Sequence, residues 1–122
     1  MERMIGYWLK HLDELFENTL TATLDAGGVT RREWQVLNVL AAGDDPRAQL
    51  APFAGVDDAH ERLAGRGWAE GAELTEEGRR AHAALAEQVG RIRRRAAEGV
   101  SREEYAATID VLRRMAANLE AA

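Results

Sequence analysis

Leu63-Ala64-Gly65-Arg66-Gly67-Trp68-Ala69-Glu70-Gly71-Ala72-Glu73-Leu74-Thr75-Glu76-Glu77-Gly78-Arg79 is the stretch on which the fold turns. An amphipathic run ends near Arg66 and stops at Gly67, as a helix C-terminus does. Six residues then separate Gly67 from Leu74. That is room for two very short strands, and the turn is expected at Glu70-Gly71. Thr75 follows as a helix cap, with Glu76 and Glu77 placed in the positive first turn. Helix, clipped hairpin, helix is therefore the order at the centre of the chain.

Working upstream, Asp57 or Asp58 is expected to cap the helix that ends near Arg66, with Asp58-Ala59-His60-Glu61 at capping-box spacing. Asp45-Pro46 opens a short helix reaching about Phe53, anchored by Leu50 and Phe53. Thr30-Arg31-Arg32-Glu33 is a capping box, and the helix it starts reaches about Ala42 with Trp34, Leu37 and Leu40 inward. Before it, Ile5, Trp8, Leu9, Leu12, Phe16, Leu20 and Leu24 recur at three- and four-residue spacing. They predict one long helix from Ile5 to about Ala26, ended by Gly27-Gly28.

Downstream, Ala81, Leu85, Val89, Ile92 and Ala96 form a stripe on a long helix closed by Gly99. Ser101-Arg102-Glu103-Glu104 is a third capping box, opening a last helix to near Glu120 with Tyr105, Ile109, Leu112, Ala116 and Leu119 on one face. The expected class is mainly α, as a single domain over 1–122. A small head over 30–75 cannot cover the apolar stripes of the long helices over 5–26 and 76–120. Each large side chain left in water forfeits roughly 1.5–3 kcal/mol. A homodimer that buries them is the expectation.

Composition narrows the function. The chain has no cysteine, one serine that serves as a cap, and three scattered histidines. Disulfides, thiolate chemistry and a Ser-His-Asp set lack their parts, and His11, His60 and His82 are not at metal-ligand spacing. No enzyme activity, metal or cofactor is expected. No apolar run approaches the roughly 20 residues of a membrane span, and no signal-peptide core follows Met1, so a cytoplasmic location without a membrane partner is expected. The net charge is −5. Between Gly43 and Thr75, seven acids (Asp44, Asp45, Asp57, Asp58, Glu61, Glu70, Glu73) face three bases (Arg47, Arg62, Arg66), so most of the excess sits in the head.

Three strings together resemble the multiple-antibiotic-resistance regulator (MarR) family of winged-helix proteins. Thr30-Arg31-Arg32-Glu33-Trp34-Gln35-Val36-Leu37-Asn38-Val39-Leu40 is similar to that family's second helix. Leu63-Ala64-Gly65-Arg66-Gly67-Trp68 is similar to the end of its recognition helix, and Leu74-Thr75-Glu76-Glu77-Gly78-Arg79 to the segment leaving its wing. The resemblance implies a winged helix-turn-helix with long terminal dimerisation helices and a very short β-hairpin wing. It implies a transcription regulator that binds double-stranded DNA as a homodimer and responds in many members to a small ligand. His60, Arg62 and Arg66 on the recognition helix, with Arg31 and Arg32, are the candidate DNA contacts. Tyr7, Trp8, His11 and Trp34 are the candidates for lining a pocket for a small aromatic or amphipathic ligand. The wing lacks the family's basic tip, and Val56-Asp57-Asp58-Ala59-His60-Glu61-Arg62 is acidic. Carboxylates subtract from the counterion-release energy that holds proteins on DNA. The alternative is a degenerate winged-helix dimer that binds a small ligand or a protein instead of DNA.

Overall fold

The structure is a computed structural model and describes residues 3–121. Its elements run α1 (Ile5–Ala26), α2 (Arg31–Ala41), α3 (Pro46–Gln49), α4 (Val56–Gly65), β1 (Ala69–Glu70), β2 (Glu73–Leu74), α5 (Glu76–Ala96) and α6 (Arg102–Glu120). The chain divides into two compact units after Ile92, inside α5.

The first unit is built on α2. Val36, Leu37 and Leu40 from α2 meet Ala59 and Leu63 from α4, Leu74 from β2, Leu85 from α5 and Leu24 from the end of α1. The Thr30 capping box forms as expected: the Glu33 amide donates to Thr30 Oγ1 at 3.1 Å, and the Thr30 amide donates to Glu33 Oε1 at 2.8 Å. The Thr75 cap forms as well. Its hydroxyl accepts from the Gly78 amide at 3.0 Å and donates to the Gly67 carbonyl at 2.5 Å. One side chain thereby starts α5 and closes the base of the hairpin.

The local expectations need correction at three places. First, α3 stops at Gln49, and the chain leaves it through a turn in which the Phe53 amide donates to the Leu50 carbonyl at 2.9 Å. Leu50 packs against the core, but Phe53 stays exposed beneath the Arg32 guanidinium, 4.6 Å from the ring centre. Second, α4 is capped by Gly55, at φ 79°, and no side chain caps it. Burial of Val56 draws the helix start ahead of the two aspartates, and Arg47 takes the Asp57 carboxylate instead. Third, Ala69 pairs with Leu74 and Glu70 with Glu73, which puts the two-residue loop at Gly71-Ala72. Gly71 supplies the positive φ, 60°, that tight hairpin turns need.

The stripe of α1 is covered by its own chain only at its C-terminal end. Leu24 is buried and Leu20 packs on the core, while Ile5, Trp8, Leu9, Leu12 and Leu15 are exposed. Trp8, read from the spacing as an inward residue, is 56% exposed. The second unit carries α6. Its Ser101 capping box forms, with the Glu104 amide donating to Ser101 Oγ at 3.0 Å and the Ser101 amide donating to Glu104 Oε1 at 2.9 Å. Hydrogen bonds from Ser101 hold the Glu104 carboxyl below its ordinary range. No described residue of α6 is buried, and Tyr105, Ile109, Val111, Met115 and Leu119 are exposed.

Candidate nucleic-acid interface

α4 stands where a recognition helix would. Its inner face is Val56, Ala59 and Leu63, buried against the core, which turns Asp57, Asp58, Glu61, Arg62 and Arg66 outward. The α4 backbone is thus rigidly seated, and the polar ends decide what it can hold.

Four arginines expected to reach DNA are already engaged. Arg31 makes a two-pronged ion pair with Glu17 of α1 at 2.8 and 3.2 Å, and this pair holds the Glu17 carboxyl below its ordinary range. Arg32 donates to the Ala54 carbonyl at 2.9 Å, bonds Gln35 and covers Phe53. Arg62 lies 3.7 Å from the Glu33 carboxylate, which is 5% exposed and shared with the α2 cap. Arg66 donates to the Gly28 carbonyl at 2.7 Å and sits 3.8 Å above the Trp68 ring. These contacts tie α4 to α2, to the α1–α2 connection and to the wing. They also neutralise or occupy the cations that phosphates would attract.

His60 closes the set. Its Nε2 lies 2.8 Å from the Gly71 carbonyl at the hairpin tip. A carbonyl oxygen only accepts, so Nε2 carries the proton. The wing is thereby folded onto α4. On the same face, Arg47 donates to both oxygens of Asp57 at 2.9 and 3.1 Å, which lowers the Asp57 pKa. Asp58 and Glu61 remain outward with no ion-pair partner among the described residues. The free charge on the outer face of α4 is negative.

The expected ligand-lining residues fall into two groups. Exposed Tyr7 and Trp8 form a ring cluster with half-buried His11 near the start of α1. Tyr7 meets Trp8 edge-on at 5.1 Å and stacks on His11 at 5.3 Å. Trp34 is in the core and stacks on His82 of α5 at 5.4 Å. Among the described residues no ring contact joins Trp34 to the α1 cluster.

Sequence reading missed Glu33 as a strut for Arg62, and it weighed His82 only as a metal ligand, not as a partner of Asn38 and Trp34. His82 Nε2 lies 2.9 Å from Asn38 Oδ1, across 44 positions of sequence, so no local pattern signals it. Partial burial lowers the His82 pKa from 6.5. The folded protein therefore binds this proton less readily than the unfolded chain. The contribution is neutral above pH 6.5 and becomes destabilising as pH falls below it, down to the folded pKa. His82→Gln should flatten the loss of stability as pH falls below 6.5, read from urea unfolding at each pH; an unchanged slope would contradict this account.

No family model and no curated protein matches the chain. Solved structures do. A MarR-family transcriptional regulator from Rhodococcus sp. RHA1 superposes with a TM-score of 0.72 at 22% identity, over 92% of this chain and 91% of that one. NadR, solved with 4-hydroxyphenylacetate, matches at a TM-score of 0.66 and 22% identity, over 97% and 98% of the two chains. A mutant MepR from S. aureus bound to an oligodeoxyribonucleotide matches at 0.67 and 16% identity, over 97% and 99%. No described helix is long and apolar enough to cross a membrane. With α4 packed across α2, a two-stranded wing pinned by Thr75, and agreement along nearly the whole chain, this protein has the winged-helix fold of the MarR-type regulators.

Proposed function

We propose that the protein is a DNA-binding transcription regulator that works as a homodimer, with α4 entering the major groove and the wing held back. The observation that carries this reading is a helix-turn-helix head joined to an α1 whose apolar face its own chain leaves uncovered. A second copy supplies the missing cover, and two heads at a fixed spacing read two half-sites. A partner lying along α1 also covers the Tyr7–Trp8–His11 cluster, which supports a ligand-responsive pocket completed by dimerisation.

Electrostatics sets the strength of binding. Each phosphate neutralised contributes about −0.9 to the slope of log K against log salt. Arg31 is the cheapest cation to recruit, because its pair with Glu17 is 42% and 52% exposed and exposed pairs contribute only about 0–1 kcal/mol. Arg62 is costlier, since moving it strips a cation from a nearly buried carboxylate. Arg66 and Arg32 would each abandon a backbone carbonyl. A dimer recruiting only Arg31 has a slope of about −2, whereas all four arginines would bring it to about −7.

Fluorescence anisotropy on the DNA upstream of its own gene, across a salt series, tests this. The expected result is salt-sensitive binding with the shallow slope, and Arg31→Ala removing most of that slope while the circular dichroism spectrum stays unchanged. Absence of salt-sensitive binding at low ionic strength would overturn it. The engaged arginines and outward Asp58 and Glu61 would then favour the second reading, a winged-helix dimer that binds a small ligand or a protein.

A further inference from the structure

Away from α4's outer face, a groove of about 580 Å³ opens between the end of α2, the return strand of the hairpin and the first turns of α5. That volume lies in the ~300–1,000 Å³ range of small-molecule sites. Leu40 and Leu74 form its floor as core residues, with 4% and 6% of their surface exposed. His82 is a fixed part of its wall, because its Nε2 is held by Asn38 and its ring is stacked on Trp34.

Two charged side chains line the same groove from different elements, Arg79 from α5 and Glu73 from β2. Neither has an ion-pair or side-chain hydrogen-bond partner among the described residues, although Arg31, Arg32, Arg47, Arg62 and Arg66 all do. An unpaired guanidinium and an unpaired carboxylate around apolar surface are complementary to a zwitterion with an apolar tail.

We propose that this groove binds a free α-amino acid with an apolar side chain. Its carboxylate pairs with Arg79, its ammonium faces Glu73, and its side chain lies against Leu40 and Leu74. Arg suits the carboxylate because its planar fork donates an N–H to each of the two oxygens. Glu73 and Leu74 belong to the hairpin, so an occupant restrains the wing against α2 and α5. The site is independent of whether the protein binds DNA.

Titration of the full chain with L-leucine, followed by NMR shifts of the Leu40 and Leu74 methyls, tests the proposal. The controls are 4-methylpentanoate, which lacks the ammonium, and 3-methylbutylamine, which lacks the carboxylate. Saturable shifts at millimolar leucine are expected, with each control about tenfold weaker, a difference of about 1.4 kcal/mol. Arg79→Ala should reduce leucine to the level of the amine, and Glu73→Gln to the level of the carboxylate. Both positions are exposed, so both variants should fold like the parent. No saturable shift, equal binding of leucine and its controls, or undiminished leucine binding by Arg79→Ala would each overturn it. No DNA enters the measurement, so its failure leaves the regulator reading standing.

Discussion

Gly78→Ala is expected to destabilise the protein by at least about 3 kcal/mol, in the range reserved for overpacking that the structure cannot relieve. A Cβ at this position would stand 1.9 Å from the Trp68 carbonyl oxygen, 2.7 Å from its carbon and 3.0 Å from Trp68 Cα. All three are backbone atoms, so no side chain can swing aside. The Trp68 carbonyl already accepts from the Thr75 amide at 3.0 Å, and the Thr75 hydroxyl is committed to Gly67 and Gly78. Relief therefore means pulling α5 off the hairpin and breaking the Thr75 junction. Gly65→Ala, at the end of α4 with nothing within 4 Å of its added Cβ, is the control and should be neutral or stabilising by up to about 1 kcal/mol. Urea unfolding of the two variants makes the comparison. A Gly78→Ala protein within about 1 kcal/mol of the parent would show that the contact is not held in solution.

Replacing Leu9 and Leu12 together by glutamate is expected to abolish the homodimer. These residues are 47% and 49% exposed in the single chain. If the chain worked as a monomer, each change would be a surface substitution within about ±0.5 kcal/mol. If the α1 face is covered by a second copy, each leucine, already about half covered, contributes roughly 0.7–1.5 kcal/mol more. The four leucines of a dimer then contribute roughly 3–6 kcal/mol before the cost of burying glutamates. Sedimentation equilibrium should give the parent twice its 13.5 kDa chain mass. Its unfolding midpoint should rise with protein concentration. The double variant should sediment as a single chain or lose helical signal, and its DNA affinity should fall with it, since one head reads one half-site. A parent that is a folded monomer at micromolar concentration would refute the dimer.

Much of the fold was legible because its signals are local. The Thr30 and Ser101 capping boxes and the Thr75 cap depend on residues within four positions of one another, and all three form as expected. The bounds of α1 follow from a seven-residue stripe and a Gly-Gly stop. The misreadings fall where local and distant demands compete. Asp57 has the chemistry of a cap, but Arg47, ten positions away, offers it two charged hydrogen bonds. Phe53 has the chemistry of an anchor, but the turn after Leu50 delivers it to Arg32 on the surface.

The candidate interface was legible as a set of residue types and not as a set of available charges. Arg31, Arg32, His60, Arg62 and Arg66 were identifiable because the strings around them are ordered like a winged helix. Their partners Glu17, Ala54, Gly71, Glu33 and Gly28 lie between 11 and 38 positions away. By itself, the sequence determined which segments become helices, where they begin, and that the head carries excess negative charge, because backbone capping, apolar periodicity and composition are properties of neighbouring residues. Only the tertiary structure decided which arginines are committed, that the hairpin is latched to α4, and that Arg79 and Glu73 line one groove unpaired. Coulomb and hydrogen-bond partners are chosen by distance in space, and that distance exists only once the helices have packed.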